Sequence, residues 1–400
     1  MKIAIIQGDL SKIGGSENLI IWYSAELVKR GYAITIFTGA YEPKNWSTEY
    51  TSKLNIVIDK HFGFKRNPFT YQVNGVHALR LTAGYDLVIV HSWLNSSLPI
   101  AFRGQRKTQK WVWFCEEPPR FIYYKEIDEE LVRYNLNHLY LEPHKGINII
   151  LNHAIRKFLI FFKILDKIFV RYTFDKIVVN SKFTGRNIKK IYNLPSKVAL
   201  LGIGTHYTTE NYVDMKNRLN CDVLLFFSGR LDYSKNLTRI INAVSLIDTN
   251  INYKLVIAGD GILKAYLDKK VKRLNLTDKV LLTGRIPTDL LVSYMNSADL
   301  IIYLPINEPF GLVPIEAMAC GKPSIVSSTG GPSETIINNV TGFYANPLDT
   351  NDIKSKIEYL LAHKEFLSDK SEICKGEYEQ KFTLEKGVDR LLNALKKEIV

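Results

Sequence analysis

Cysteine is scarce in this chain. Cys115, Cys221, Cys320 and Cys374 are the four among 400 residues, and their wide spacing leaves no paired metal-ligand motif. That excludes a disulfide scaffold and a cysteine zinc module, and it reads as ordinary reduced, mostly buried thiols of a cytosolic protein. Asp-x-Asp is absent, as are internal repeats and low-complexity tracts. The opening Met1-Lys2-Ile3-Ala4-Ile5-Ile6-Gln7-Gly8 has too short an apolar run for a secretion signal and turns at once into Gly8-Asp9, so it reads as a buried strand. The glycines Gly8, Gly14 and Gly15 lack the Gly-x-Gly-x-x-Gly spacing of a dinucleotide site. Acidic residues are missing altogether from Pro143 to Leu165.

What is present is enough chain for two domains of ordinary size and a net charge of +13 that is unevenly placed. Residues 1–200 hold 29 lysines and arginines against 16 aspartates and glutamates, whereas residues 201–400 hold 24 of each. The whole excess lies in the first half. It points to an anionic partner there (a phospholipid, a lipid-linked pyrophosphate or nucleic acid) or else to a solubilising bias. Nucleic acid has only the charge in its favour, with no recognisable module, and is not expected as a partner. Short apolar strands alternate with amphipathic stretches throughout, the pattern of parallel α/β sheets. The first half offers Ile3–Gln7, Ala33–Thr38, Asn55–Ile58, Leu87–His91, Trp111–Cys115, Lys176–Asn180 and Lys197–Leu201. The second offers Val223–Ser228, Tyr253–Ala258, Lys279–Thr283, Leu300–Leu304 and Pro323–Ser327. The polar stretch Thr205-His206-Tyr207-Thr208-Thr209-Glu210-Asn211 separates the sets and is the expected linker.

The most informative run is Glu308-Pro309-Phe310-Gly311-Leu312-Val313-Pro314-Ile315-Glu316. The first carboxylate is expected in a loop after the strand Leu300–Leu304. The amides of Phe310, Gly311 and Leu312 are expected at a helix N-terminus, where the backbone dipole favours an anion. The second carboxylate is expected about two helical turns deeper, able to accept hydrogen bonds from a diol such as a ribose. A surface glutamate and a capping glutamate on an ordinary strand-to-helix turn would give the same residues. Further on come Gly321-Lys322-Pro323, Gly330-Gly331-Pro332-Ser333-Glu334 and Thr341-Gly342-Phe343. From about Asp299 to Asp349 this ordered pattern resembles the retaining glycosyltransferases of family 4, with their Glu, seven residues, Glu, then a Gly-Gly-x-x-Glu loop and a Thr-Gly-Phe strand.

The resemblance implies the GT-B fold: α/β, with two doubly wound Rossmann-like domains facing across a cleft. Residues 1–205 would bind the acceptor, with a last helix, about 383–400, packing back on them, and residues 212–382 would bind the nucleotide sugar. Glu308 would contact the donor sugar, the amides of Phe310, Gly311 and Leu312 the sugar and phosphate, and Glu316 the ribose hydroxyls, with Glu334 structural. Ser228-Gly229-Arg230 and Lys235 match the family's diphosphate site, so the planar fork of Arg230 and the flexible point charge of Lys235 would neutralise the leaving group. Taken alone they are a strand-end turn with solvated charges. Gly259 and Gly261 read as architecture, and Arg285 as a contact of the nucleotide base.

In the first half, Gly14-Gly15-Ser16-Glu17 matches the family's Gly-Gly-x-Glu loop. Glycine there lets backbone approach a phosphate closely, and a plain helix N-terminal turn is the alternative. His91 ends a strand, where open α/β sheets bind ligands; it is either an acceptor-side residue or a structural hydrogen-bonding one. Trp113-Phe114-Cys115-Glu116-Glu117-Pro118-Pro119-Arg120 departs from the Tyr-Cys-His-x-Pro-Pro-Arg of many relatives, because Glu116 stands where histidine is expected. A carboxylate can bond a sugar hydroxyl or accept the acceptor's proton, but it donates only when protonated. The stretch 143–170 mixes Lys145, Arg156, Lys157 and Lys163 with aliphatic and aromatic residues. It reads as a helix at the membrane interface or as a core helix.

The expected function is that of a retaining hexosyltransferase. It would move a sugar from a UDP- or GDP-sugar to a lipid-linked or polysaccharide acceptor at the cytosolic membrane face, with peripheral association through 143–170. No cofactor beyond the co-substrate and no metal is expected. The alternatives are a soluble glycogen- or sucrose-type synthase of the same fold and a catalytically silent nucleotide-sugar sensor, the latter motivated by Glu116.

Overall fold

The computed structural model describes residues 1–59, 78–91, 109–127, 149–204, 207, 211–363, 367 and 369–399. Residues 205, 206 and 208–210 of the expected linker, 143–148 of the basic stretch, and Ser92 and Trp93 after His91 lie outside them. The chain divides into two compact units, Met1–Leu201 with Gly387–Val400, and Gly202–Lys386.

In the first unit, β1 (Lys2–Gln7), β2 (Ala33–Thr38), β3 (Asn55–Ile58), β4 (Leu87–Val90), β5 (Lys110–Cys115), β6 (Lys176–Val179) and β7 (Lys197–Val198) form one parallel sheet in the order β3-β2-β1-β4-β5-β6-β7. The central strands are near-continuous apolar runs because a parallel sheet is covered on both faces; β4 is buried at every residue. Ile6 pairs with Val90 and Val90 with Trp113, so β1, β4 and β5 reach their carboxyl edge together. The strand order reverses between β1 and β4. That is the switch point at whose carboxyl edge such sheets bind ligands.

The helix Gly15–Lys29 buries Leu19, Ile20, Tyr23 and Leu27. At the other end of the chain, Asp389 pairs with Arg30 at 2.6 Å, and the Arg390 guanidinium donates to the carbonyls of Leu200 and Leu201. These contacts tie the last helix, Leu384–Ile399, into the first unit from Gly387 onward.

The basic apolar stretch forms the helix Ile149–Thr173. Where its side chains are described, from Ile160 on, one face is core: Val170 and Thr173 are buried, and the buried Asp166 accepts hydrogen bonds from Tyr123 (2.8 Å) and Tyr192 (2.9 Å). The other face carries Ile160, Phe161, Ile164, Ile168 and Tyr172, each between 44% and 65% exposed, beside exposed Lys167 and Arg171. The helix thus has a core face, one of the two roles expected of it, and an opposite face that is exposed, apolar and basic. Among the described residues no helix is long and apolar enough to cross a membrane.

In the second unit, β8 (Val223–Ser228), β9 (Tyr253–Ala258), β10 (Val280–Gly284), β11 (Leu300–Tyr303), β12 (Ser324–Ser327) and β13 (Gly342–Ala345) form a parallel sheet in the order β10-β9-β8-β11-β12-β13. Its switch point lies between β8 and β11. Beyond β8 and β9 the chain runs backbone on backbone: Gly229 donates to Ala258 (3.0 Å) and Gly259 to Gly284 (2.9 Å). Gly259 has φ +145°, and a Cβ on it would fall onto the Gly229 carbonyl, so glycine is required there. The chain enters this unit at Gly202. Tyr207, from the stretch expected as linker, is buried in it, its carbonyl accepting from Asn296 and Cys320, both at 3.4 Å.

Candidate active site

At the switch point of the second sheet, the residues after β8 and after β11 converge. The chain leaving β8 passes Arg230 and closes a short 3-10 turn, Tyr233–Lys235, whose N-cap Asp232 accepts from the Ser234 amide at 3.0 Å. Asn236 follows in the left-handed region at φ +61° and is buried, donating to the Pro347 carbonyl at 2.7 Å. With its turn held on both sides, Lys235 lies in the interior, its side chain 9% exposed. Its Nζ is 2.7 Å from Glu308 Oε2 and 3.3 Å from Tyr303 Oη, where Tyr303 is the last residue of β11 and Glu308 lies in the loop beyond.

Burial is the largest single influence and by itself would lower the lysine's pKa, but Glu308, Tyr303 and Asp232 together outweigh it and the net shift is upward. The Tyr303 phenol is raised by burial first and by Glu308 second. At neutral pH Lys235 is therefore an ammonium and Tyr303 a protonated phenol. Lys235 is consequently not the flexible point charge expected, but a pinned one. Arg230 differs: 81% of its side chain is exposed, with Nε 3.7 Å from Asp232.

The loop holding Glu308 is shaped by glycine. Gly311 has φ +86°, and a Cβ there would come within 2.9 Å of the Tyr303 ring. The Gly331 amide donates to the Glu308 carbonyl at 2.8 Å, which seats the Gly330-Gly331 turn on this loop. Phe310 is buried and Leu312 half-buried. The helix begins only at Val313, with Pro314 in its opening turn, a position proline tolerates because the amide there needs no partner. Glu316 is therefore in the first turn, not two turns deeper as expected. The left-handed Gly311 keeps residues 308–312 out of the helix.

The Glu316 carboxyl is half-buried and hydrogen-bonded to the Tyr207 phenol. Burial pushes it up to about 7, with the Tyr207 bond opposing. Arg285 follows β10 and is exposed, and Glu334 closes the 3-10 turn Gly331–Glu334. Sequence reasoning missed both Tyr303 and Tyr207. The signal for the first was a phenol ending an aliphatic strand, and for the second an aromatic inside a polar stretch.

In the first unit, Gly14 caps the helix Gly15–Lys29 at φ −156°, extended backbone open to any residue, and Gly15 is exposed. The Glu17 carboxylate folds back to where a Gly14 side chain would stand. Beyond β4 and β5, His91 Nδ1 lies 3.2 Å from Glu116 Oε1. The His91 amide donates to Ile6 at 3.1 Å and its ring packs on Phe114 at 4.8 Å, so the imidazole is held while Glu116 keeps some exposure. The Asn180 side chain donates to the Glu116 carbonyl at 2.9 Å. The structure therefore brings together two residues that the sequence offered separately. Among the described residues no group of three or more His, Cys, Asp or Glu is arranged to hold a metal.

Residues 214–375 match the family model described as "Glycosyl transferases group 1". An uncharacterized glycosyltransferase of Methanocaldococcus jannaschii is 31% identical over 202 residues, 48% of this chain and 52% of the relative. The chain spans about half the length of the first curated relatives it matches. Sucrose-phosphate synthase from Thermosynechococcus elongatus superposes with a TM-score of 0.76 at 20% identity, over 100% of this chain and 99% of that one. Anabaena Alr3699/HepE, solved in complex with UDP-glucose, does so with a TM-score of 0.73 at 16% identity, over 99% and 100%. The fold is two Rossmann-like parallel sheets matching GT-B glycosyltransferase structures, and residues 214–375 are a glycosyl transferases group 1 domain.

Proposed function

We propose that the chain is a retaining glycosyltransferase resembling family 4, moving a hexose from a UDP- or GDP-sugar to a lipid-linked or polysaccharide acceptor at the cytosolic membrane face. The observation that carries this reading is the Lys235–Glu308–Tyr303 cluster at the switch point of the second sheet. A buried, permanently charged ammonium is suited to a leaving diphosphate, because preorganised charge in a low-dielectric site costs no reorganisation during the reaction. Arg230, exposed on the turn that leaves β8, adds a planar fork for the same oxygens. Glu308 takes a sugar hydroxyl, the amides of Phe310, Gly311 and Leu312 the sugar and phosphate, Glu316 the ribose diol and Arg285 the base.

In the first unit, Gly15 is assigned to a phosphate, and His91 and Glu116 to the acceptor. In the reaction an acceptor hydroxyl attacks the anomeric carbon as the bond to the diphosphate oxygen breaks. The electron pair leaves with the diphosphate, and the acceptor proton passes to a diphosphate oxygen. With the leaving charge met by Lys235 and Arg230, no metal is assigned to the reaction.

The exposed apolar face of the helix Ile149–Thr173, flanked by Lys167 and Arg171, supports a membrane-borne acceptor. Apolar side chains enter the interface while cations meet anionic headgroups. The test titrates UDP, GDP and ADP and their common sugars by calorimetry, then assays sugar release. Tight binding of one diphosphate with slow hydrolysis of its sugar is expected, and no binding at all would overturn the reading. Sedimentation with anionic vesicles tests the acceptor side: the wild type should bind, and Phe161→Glu with Ile164→Glu should not. A wild type that ignores vesicles would move the reading to a soluble synthase.

A further inference from the structure

Behind each of the two glutamates stands a buried tyrosine from elsewhere in the chain. Tyr303 stacks on Phe227 with ring centroids 6.3 Å apart and closes against Gly311. Its hydroxyl accepts from Lys235 at 3.3 Å and is bonded to the Glu308 carboxylate. Tyr207 is anchored through its carbonyl, which takes hydrogen bonds from Asn296 and Cys320, and its phenol meets the Glu316 carboxyl. Both phenols are held above their usual pKa, chiefly by burial and then by their glutamates, so each remains a donor through the neutral range. Both rings are buried. That leaves the partly exposed carboxyls of Glu308 and Glu316 as the groups open to a ligand.

We propose that Tyr303 and Tyr207 are positioning residues, each donating a hydrogen bond that holds one glutamate in the orientation in which it meets the donor. The proposal rests on the donor-site reading above. A glutamate side chain samples many rotamers unless something restrains it. With part of each carboxylate's acceptor capacity taken by a phenol, and Glu308 Oε2 also by Lys235, the remaining lone pairs are presented in a restricted direction, which is what discrimination of a diol or a sugar hydroxyl requires. The two tyrosines differ in what else they do. Tyr303 also touches Lys235 and so sets the cation against the carboxylate. Tyr207 favours the ionised form of Glu316. Among the described residues the side chain acting on Glu316 is Tyr207; burial pushes the nearby Cys320 thiol up to about 12, with Lys322 and Lys375 opposing and Glu316 adding to the rise.

The test uses the full chain, with UDP titrated across pH 6–9 and GDP and ADP in parallel, followed by kinetics with the donor that binds. Tyr303→Phe should lower kcat/KM by about 10- to 100-fold, the range of a lost hydrogen bond to a charged group. Tyr207→Phe should raise KM more than it lowers kcat. It should also move the pH at which diphosphate affinity rises to a higher value, a midpoint Tyr303→Phe leaves in place. Thermal melting reports whether the variants fold. Should Tyr207→Phe not fold, Asn296→Ala, which loosens the tyrosine's anchor, should shift the same midpoint. An unmoved midpoint in the Tyr207 variant, or kcat/KM within twofold of wild type in the Tyr303 variant, overturns the proposal. Failure of the wild type to bind any diphosphate would instead overturn the donor-site reading on which it rests.

Discussion

The substitution Glu316→Gln should stabilise the second unit in alkali while weakening it as a nucleotide site. The folded carboxyl, at about 7, lies above the ordinary value of 4.5, so the folded chain holds this proton more tightly than the unfolded one. Its contribution to stability is therefore complete below about pH 4.5 and lost as the pH rises through 7. At about 1.4 kcal/mol per pKa unit the displacement is worth about 3 kcal/mol by pH 8.5, an upper figure because the side chain keeps some contact with water. Glutamine retains an oxygen for the Tyr207 phenol and carries no charge to desolvate. Urea unfolding of both proteins at pH 4 and 8.5, following the second unit, should show near-equal stability at the lower pH. At the higher pH the variant should gain about 1–3 kcal/mol. UDP binding should fall in the same variant, since the amide offers one acceptor oxygen, already shared with the Tyr207 phenol, where the carboxylate offers two. A stability difference that does not change with pH would refute the burial argument.

Lys235→Met should destabilise by about 3 kcal/mol, because it leaves the Glu308 carboxylate without its cation, whereas the exposed Arg230→Ala should stay within about 0.5 kcal/mol of wild type. Both should abolish turnover, and equal stability losses in chemical unfolding would contradict the different burial of the two cations. Glu116→His should lower turnover by about 10-fold or more by removing the carboxylate that faces His91. A variant as active as wild type, or more active, would mark Glu116 as incidental. Turnover should persist in EDTA; loss of activity restored by Mn²⁺ or Mg²⁺ would assign the leaving-group charge to a metal.

Much of the scaffold was legible because it is written locally. Ala33–Thr38, Asn55–Ile58, Val223–Ser228 and Tyr253–Ala258 are strands with the bounds that apolar runs and turn residues predict. The glycines at 259 and 331 mark close backbone approaches that no side chain permits. Other boundaries were less legible. Lys197–Leu201 pairs over only Lys197–Val198, where the sheet ends, and the helix carrying Glu316 starts later than its composition implies. The helix Ile149–Thr173 has apolar residues around most of its circumference, so its sequence does not say which of them the core takes.

By itself the sequence determined the alternation of strands and helices, the Glu308–Glu316 spacing and the placing of all net positive charge in the first half, since these depend on neighbours in the chain. Only the tertiary structure decided the state of the charged groups. Lys235 and Glu308 are 73 residues apart and meet because β8 and β11 are adjacent in the sheet, and Glu316 is poised near neutrality because folding buries it against Tyr207. Burial and pairing are properties of the packed chain, so the protonation of a carboxyl is settled by residues that the linear order keeps far from it.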